Sequence, residues 1–138
     1  MVRHHLSLAP DLAEISRLTA WAEACCGEAG LDDLAFKLGL ALEEAVANVV
    51  NHAFVGLPPP HRIEVVLDLG DGRVVAEIID NGHAFDPSAA PEPDLSLPLA
   101  ERDPGGLGIL LIHRMMDRVD YRRADGRNRL RLEKSRAD

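Results

Sequence analysis

Residues 41–54 read ALEEAVANVVNHAF and form the second half of a long amphipathic segment. Apolar residues recur in this segment every three or four positions, which predicts a helix from Asp32 or Asp33 to about Phe54. Three successive prolines at positions 58–60 must end the helix, because proline cannot donate a helical hydrogen bond. The sequence therefore contains one long helix around which the other elements can be placed.

The segments on either side of this helix alternate between helical and strand periodicity, which predicts an α+β fold. Glycine, proline and aspartate separate the segments, and Gly70-Asp71-Gly72 has the composition of a hairpin turn. The predicted elements are a strand over 4–9, a helix over 12–29, strands over 62–69 and 73–79, a helix over 107–116, and short strands over 119–122 and 130–132.

The charge balance is acidic. The 138 residues carry 15 Lys and Arg against 23 Asp and Glu, a net charge of -8. This balance weighs against non-specific binding to nucleic acid or to an anionic membrane, which depends on a basic field. The charge is also uneven, since residues 1–101 have a net charge of -12 and residues 102–138 of +4. Residues 102–138, the basic segment, are either a solvated tail or a region whose first residues face an anion.

Length and composition predict a single compact domain, residues 1–138. The cysteine content and the distribution of apolar residues predict that it lies in the cytoplasm. A chain of this size can bury a core without a disulfide or a structural metal. Cys25 and Cys26 are adjacent, and adjacent cysteines seldom reach disulfide geometry. We find neither an apolar run of signal-peptide length at the N-terminus nor a run of 18 apolar residues that could span a membrane.

Glu44 and Asn48 form the first polar pair that could carry chemistry. At a spacing of four residues they share one face of the predicted helix. An amide oxygen can bind Mg²⁺ without adding charge, and a carboxylate can accept a proton from a nucleophile. The alternative is a hydrated helix surface with no ligand.

A second motif, Asp80-Asn81-Gly82, directly follows a predicted strand. A carboxylate at the end of a strand can accept a hydrogen bond from an exocyclic amine. A glycine two residues later permits the close backbone approach that a flat base needs. The alternative is an ordinary Asp-Asn-Gly turn.

Residues 86–105 contain five of the nine prolines and show no period, which is typical of a disordered segment or a functional lid. After them, Gly105-Gly106-Leu107-Gly108 opens an apolar helix. Backbone N–H groups and the helix dipole at such a start favour an anion, so this motif can hold phosphate. Its spacing matches neither the Rossmann fingerprint nor the P-loop.

The order of these motifs resembles the ATP-binding domain of the GHKL superfamily, the Bergerat fold. Within that superfamily, EEAVANVVNHAF, DNGHAFDP, AERDPGGLGI and DGRNRLRL look like segments of the stand-alone anti-sigma-factor serine/threonine kinases. The resemblance runs from Leu6 to Leu132. It implies a two-layer α/β sandwich with a mixed, mostly antiparallel sheet covered on one face by about three helices.

The resemblance also implies a role for each candidate residue. Glu44 is expected to be the general base, and Asn48 to coordinate the Mg²⁺ that bridges the phosphates of ATP. Asp80 is expected to bind the adenine amine, with Gly82 leaving room for the ring. The expected phosphate contacts are Gly105, Gly106, Leu107 and Gly108, with Arg102 in the lid as a candidate partner of the γ-phosphate.

The implied function is an ATP- and Mg²⁺-dependent serine/threonine kinase that phosphorylates a STAS-type anti-sigma-factor antagonist and sequesters a sigma factor. The resemblance further implies a homodimer. Two alternatives stay open: an ATP-binding module that acts by partner binding without phosphoryl transfer, and a hydrolytic ATPase domain of a larger machine. Glu44 favours the kinase, because pure ATP binding needs no base at that position.

Overall fold

The computed structural model of the protein describes residues 1–86 and 104–136, and residues 104–107 are described by their backbone alone. It contains five strands and three α-helices, which confirms the predicted α+β class. In chain order the elements are β1 (Val2–Leu8), α1 (Ile15–Glu28), α2 (Ala35–Asn48), β2 (Ile63–Gly70), β3 (Arg73–Asp80), α3 (Pro104–Met115), β4 (Arg118–Ala124) and β5 (Arg127–Ser135).

The strands form one sheet in the order β1-β2-β3-β5-β4. All four ladders among the described residues are antiparallel, so the sheet lacks the parallel component that the expected mixed sheet would include. Two Asp-Gly turns join neighbouring strands, and both residues of each turn have positive φ. Such turns match the twist of a hairpin, and the turn at Asp71-Gly72 confirms the hairpin predicted there.

The helices cover one face of the sheet and bury the core against it. Along β2 every second residue, from Ile63 to Leu69, is buried beneath them. Asp11 begins the first helical segment, since Ala13 N donates to its carboxylate at 2.9 Å. A 3₁₀ turn, Leu12–Glu14, then leads into α1. The other face of the sheet carries charged side chains together with a few apolar ones, among them Val66, Val75 and Ile79.

The long predicted helix is made of three segments rather than one. A 3₁₀ turn, Asp32–Leu34, precedes α2, and a π-helical turn, Val49–Ala53, follows it. A π turn holds one more residue than an α turn, and such turns are frequent at functional sites. The extra residue brings the carbonyl of Ala53 to the loop after β3, where His83 N donates to it at 2.8 Å.

The basic segment supplies two strands of the sheet, so the solvated-tail interpretation does not apply to residues 118–135. Several of its arginines pair with acidic groups, and Arg129 Nη1 lies 2.6 Å from Glu77 Oε1. The guanidinium of Arg136 contacts both carboxylate oxygens of Asp33, which ties the end of β5 to the start of α2. The excess of positive charge is thus built into the sheet.

Cys25 and Cys26 are both buried and free, as their adjacency predicts. Within the ranges that the structure describes, none of the helices is both long enough and apolar enough to cross a bilayer.

Candidate functional site

A pocket opens between α2 and the end of β3. It is narrow, with a cavity volume of about 20 Å³. The wall is mainly apolar and includes a few polar groups, as is usual for the binding site of a small molecule. The lining residues are Ala45, Asn48, Val49, Ala53, Ile78, Asp80, Phe85, Tyr121, Asn128 and Leu130.

Asp80 is the last residue of β3, and only 4% of its surface is exposed. Its Oδ1 accepts hydrogen bonds from Gly82 N and from Asn128 Nδ2, each at 2.9 Å. Burial raises the pKa of the Asp80 carboxyl, and these two hydrogen bonds and the charge of Arg123 oppose the rise. Both donors among the described residues act on Oδ1, which leaves Oδ2 as an acceptor for a ligand.

Asn128, to which no sequence motif assigns a role, holds this carboxylate in place. Its amide is 4% exposed and is the centre of a hydrogen-bond network. The Nδ2 group donates to Asp80 Oδ1 and, at 2.6 Å, to His83 O. The Oδ1 atom accepts from Tyr121 Oη at 2.6 Å, Arg123 Nη1 at 3.2 Å and Phe85 N at 3.3 Å.

Asn128 lies directly opposite Asp80 in the ladder between β3 and β5. Along β5 it shares the buried face with Leu130 and Leu132. A polar residue at the start of an otherwise apolar alternation is a signal for a buried hydrogen-bond network. That signal was present in DGRNRLRL, but only the pairing of β3 with β5 shows which group Asn128 meets.

Gly82 is needed for a reason that the sequence did not reveal. A Cβ on this residue would lie 2.6 Å from Ala53 Cβ and would also collide with the Ala53 carbonyl. The Gly82 carbonyl accepts a hydrogen bond from Arg123 Nη1 at 2.7 Å. Glycine therefore lets the loop after β3 lie against the π turn, and the room it was expected to leave for a ring stays a prediction.

Glu44 and Gly108 lie against each other where α2 meets α3. A Cβ on Gly108 would be 2.5 Å from Glu44 Oε2, so the carboxylate occupies the space beside the glycine. Glu44 is half-buried. Burial, and to a smaller extent the charge of Glu43, raises the pKa of the Glu44 carboxyl. A raised pKa brings a carboxylate closer to the range in which a general base works at neutral pH.

Asn48 lies one turn after Glu44 and shares the pocket wall with Asp80. Its Nδ2 atom is buried and has no hydrogen-bond partner among the described residues. An unpaired buried polar group costs about 1–3 kcal/mol and calls for an explanation, such as a bound ligand. A nucleotide phosphate supplies acceptor oxygens for this amide, and turning the amide over presents its oxygen to a cation.

Within residues 1–86 and 104–136, no group of three or more His, Cys, Asp or Glu side chains could hold a metal ion. Mg²⁺ rarely needs such a cage, since it usually binds through one or two protein oxygens together with substrate phosphates and water. The single amide of Asn48 fits a Mg²⁺ ion that is shared with a nucleotide.

The glycine motif lies at the start of α3, which begins at Pro104, three residues before the predicted start. The backbone of Gly105, Gly106 and Leu107 forms the first turn of this helix. Arg102, and residues 87–103 of the lid predicted at about 86–105, lie outside the described residues. Ala84 is not among the residues with positive φ, so its backbone accepts a methyl group.

This fold and this pocket define a class of nucleotide-binding domain. A family profile described as a histidine kinase-like ATPase domain matches residues 8–134. The chain belongs to that family, which confirms the resemblance found in its motifs.

Two curated relatives are named as kinases. The chain is 41% identical over 101 residues to serine/threonine-protein kinase BtrW of Bordetella bronchiseptica, which covers 72% of this chain and 69% of that protein. It is 32% identical over 91 residues to serine-protein kinase RsbW of Halalkalibacterium halodurans, which covers 63% of this chain and 54% of that protein. The match thus spans about half the length of the RsbW relative.

Two solved structures share the fold. The RsbU and RsbW domains of a Mycobacterium tuberculosis protein align with a TM-score of 0.68 at 18% identity, over 98% of this chain and 32% of that one. The histidine kinase domain of a blue-light activated kinase from Erythrobacter litoralis aligns with a TM-score of 0.56 at 12% identity, over 90% of this chain and 60% of that one.

Proposed function

We propose that the protein is an ATP- and Mg²⁺-dependent serine/threonine kinase. One observation carries the proposal: Asp80, a buried carboxylate, and Asn48, whose buried Nδ2 atom has no hydrogen-bond partner among the described residues, share one pocket. Glu44 lies one helical turn before Asn48. The kinase names of BtrW and RsbW support the same conclusion.

The Asp80 end of the pocket is suited to adenine. Oδ2 can accept a hydrogen bond from an exocyclic amine, while the apolar wall formed by Val49, Ile78 and Leu130 can cover the faces of a ring. A buried carboxylate acceptor selects for a donor, because a carbonyl at the same place would face it without a hydrogen bond. This end therefore favours ATP over GTP.

The Asn48 end is suited to the phosphates. We propose that Asn48 holds Mg²⁺ and that backbone N–H groups at Gly105, Gly106, Leu107 and Gly108 contact phosphate oxygens, with Arg102 as a further partner. When bound, Mg²⁺ neutralises charge on the phosphates. These contacts are local, so they operate despite the acidic net charge of the chain.

Glu44 is the residue proposed to act on the substrate. Its carboxylate orients the serine or threonine hydroxyl and accepts the proton as the oxygen bonds to the γ-phosphorus and the bond to ADP breaks. The raised pKa of the Glu44 carboxyl favours this proton transfer, because a base that titrates nearer to neutrality takes the proton more readily. Pure binding of ATP needs no such group.

We further propose that residues 1–138 act as one domain with a lid at about 86–105, and that the substrate is a STAS-type anti-sigma-factor antagonist. The same protein would sequester a sigma factor and form a homodimer in the cytoplasm. The free, buried Cys25 and Cys26 support a reducing compartment. The family resemblance carries the choice of partners.

The test is to incubate the full chain with γ-labelled ATP, Mg²⁺ and the STAS protein encoded nearest to its gene. Label on a serine or threonine of that protein is the expected result. Glu44→Gln should lower the rate about 100-fold or more while ATP affinity changes less than about twofold. Glu23→Gln is the matched control, because Glu23 is an exposed glutamate on α1 and should leave the rate unchanged.

The same assay separates the kinase from its alternative. ATP binding by calorimetry without label on the STAS protein would support a module that acts by binding alone. Equal rates for the parent and Glu44→Gln would show that Glu44 is not the base.

A further inference from the structure

Gly108 and Gly39 are both helical glycines, but a side chain would contact different surroundings at each. A Cβ on Gly108 would lie 2.5 Å from Oε2 and 3.5 Å from Cδ of Glu44, so the missing side chain leaves the space that the carboxylate fills. Gly39, on α2, has no atom within 4 Å of its own Cβ position. Gly108 is also buried. Contact with Glu44 is therefore a specific property of this one helical glycine.

We propose that Gly108 is a positioning residue for Glu44: by lacking a side chain, it lets α3 lie over α2 and holds the carboxylate in a half-buried place. This inference rests on the proposed function, in which Glu44 is the base. It assigns Gly108 a role beyond the phosphate contact implied by the family resemblance, since the described contact is with a protein carboxylate.

The chemistry of the contact makes the inference testable. The atom that blocks a methyl at Gly108 is the end of a flexible side chain, so Gly108→Ala can be accommodated by swinging the carboxylate outward. At Gly82 the blocking atoms belong to Ala53, including its backbone, and cannot swing away. Alanine also forms helix more readily than glycine. Gly108→Ala should therefore leave the fold intact and move only Glu44.

Moving the carboxylate outward also changes its environment. Burial is the main cause of its raised pKa, and the charged group that adds to the rise is Glu43 on the same helix. Among the residues of α3 that the structure describes in full, Gly108 lies against Glu44 and carries no charge. Greater exposure to water should therefore lower the pKa of Glu44 toward its ordinary value.

The experiment compares Gly108→Ala with Gly39→Ala in the full chain. Gly108→Ala should lower kcat at least tenfold, with the KM for ATP unchanged within about twofold and the melting temperature equal to or above that of the parent. Gly39→Ala should change neither kcat nor KM. Glu44→Asp shortens the side chain by one methylene, so it should cost less rate in the Gly108→Ala background than in the parent.

A carboxyl titration by carbon NMR provides a readout that does not depend on kinase activity. The Glu44 pKa should be lower in Gly108→Ala than in the parent and unchanged in Gly39→Ala. If the parent transfers no phosphate but this shift is observed, the positioning role holds and the kinase assignment fails. If KM rises tenfold at constant kcat and the Glu44 pKa does not move, Gly108 is a phosphate contact and the positioning role is wrong.

Discussion

The two ends of the pocket differ in how far the protein itself satisfies their polar groups. At the Asp80 end, Asn128 bonds through both atoms of its amide, and the carboxylate has two donors on one oxygen. At the Asn48 end, the described residues supply no hydrogen bond to the buried Asn48 Nδ2. The hydrogen bonds at the Asp80 end hold the carboxylate in a fixed place. At the Asn48 end, a ligand can supply the hydrogen bond that the described residues do not.

The largest expected effect is a loss of ATP affinity on substitution at the Asp80 end. Asp80→Asn keeps an oxygen for Gly82 N and Asn128 Nδ2 but replaces the free carboxylate oxygen with an amide donor. An adenine amine then meets a donor instead of an acceptor. We expect ATP affinity to fall about 100-fold, or about 3 kcal/mol, measured by calorimetry.

Asp120→Asn is the control for this substitution, because Asp120 is a half-exposed aspartate on β4 that pairs with Arg118. It should bind ATP like the parent. ATP affinity in Asp80→Asn within threefold of the parent would show that Asp80 does not recognise the base.

The second effect is a loss of stability on substitution of Asn128 at the Asp80 end. Asn128→Ala removes the amide that joins β3, β4, β5 and the loop at His83, and it leaves buried partners without hydrogen bonds. The free energy of unfolding should fall by about 2 kcal/mol or more, measured with urea. A change below about 0.5 kcal/mol would mean that the network contributes little to the fold.

At the Asn48 end, a substitution should change stability little and ligand binding more. Asn48→Ala removes an amide whose Nδ2 atom has no hydrogen-bond partner in the described ranges, so the free energy of unfolding should change by less than about 1 kcal/mol. Binding of ATP in the presence of Mg²⁺ should nevertheless weaken about tenfold, and the loss should be smaller in EDTA. Equal losses with and without Mg²⁺ would place Asn48 on the phosphates rather than on the metal.

The smallest effect is a pH dependence at Asp80. Because its folded pKa is raised, the stability that Asp80 contributes is present below its unfolded pKa of about 3.9 and is lost as the pH rises through the folded pKa. Asp80→Asn should therefore unfold at a higher urea concentration than the parent at pH 7.5, and this advantage should vanish near pH 3.5. An advantage that persists at pH 3.5 would have another cause.

Much of the fold could be predicted from the sequence because its signals are local. The Asp-Gly turns, the proline run at 58–60 and the helical period of α1 and α2 each depend on neighbours in the chain. The C-terminal strands were predicted too short, since their many arginines hide the alternation of β5. One of them, Arg129, pairs across the open face of the sheet with Glu77.

The site was less accessible to sequence reasoning because its decisive contacts are distant in the chain. Asp80 stood out as a carboxylate at a strand end, but Asn128 lies 48 residues away and acquires its role only through the strand pairing. The sequence also shows that glycines stand at 82 and 108 without showing why. Their neighbours, Ala53 and Glu44, become apparent only once the helices are packed.

The π turn at Val49–Ala53 makes the site sensitive to the number of residues as well as to their identity. Each residue of a regular helix advances by about 100°, so removing one residue after Asn48 would rotate all that follows by that angle. Ala53 would then turn away from Gly82 and His83 while Asn48 stayed in place. A single-codon deletion in this segment should therefore damage nucleotide binding more than most substitutions there, and homologous chains should keep the spacing between these two positions constant.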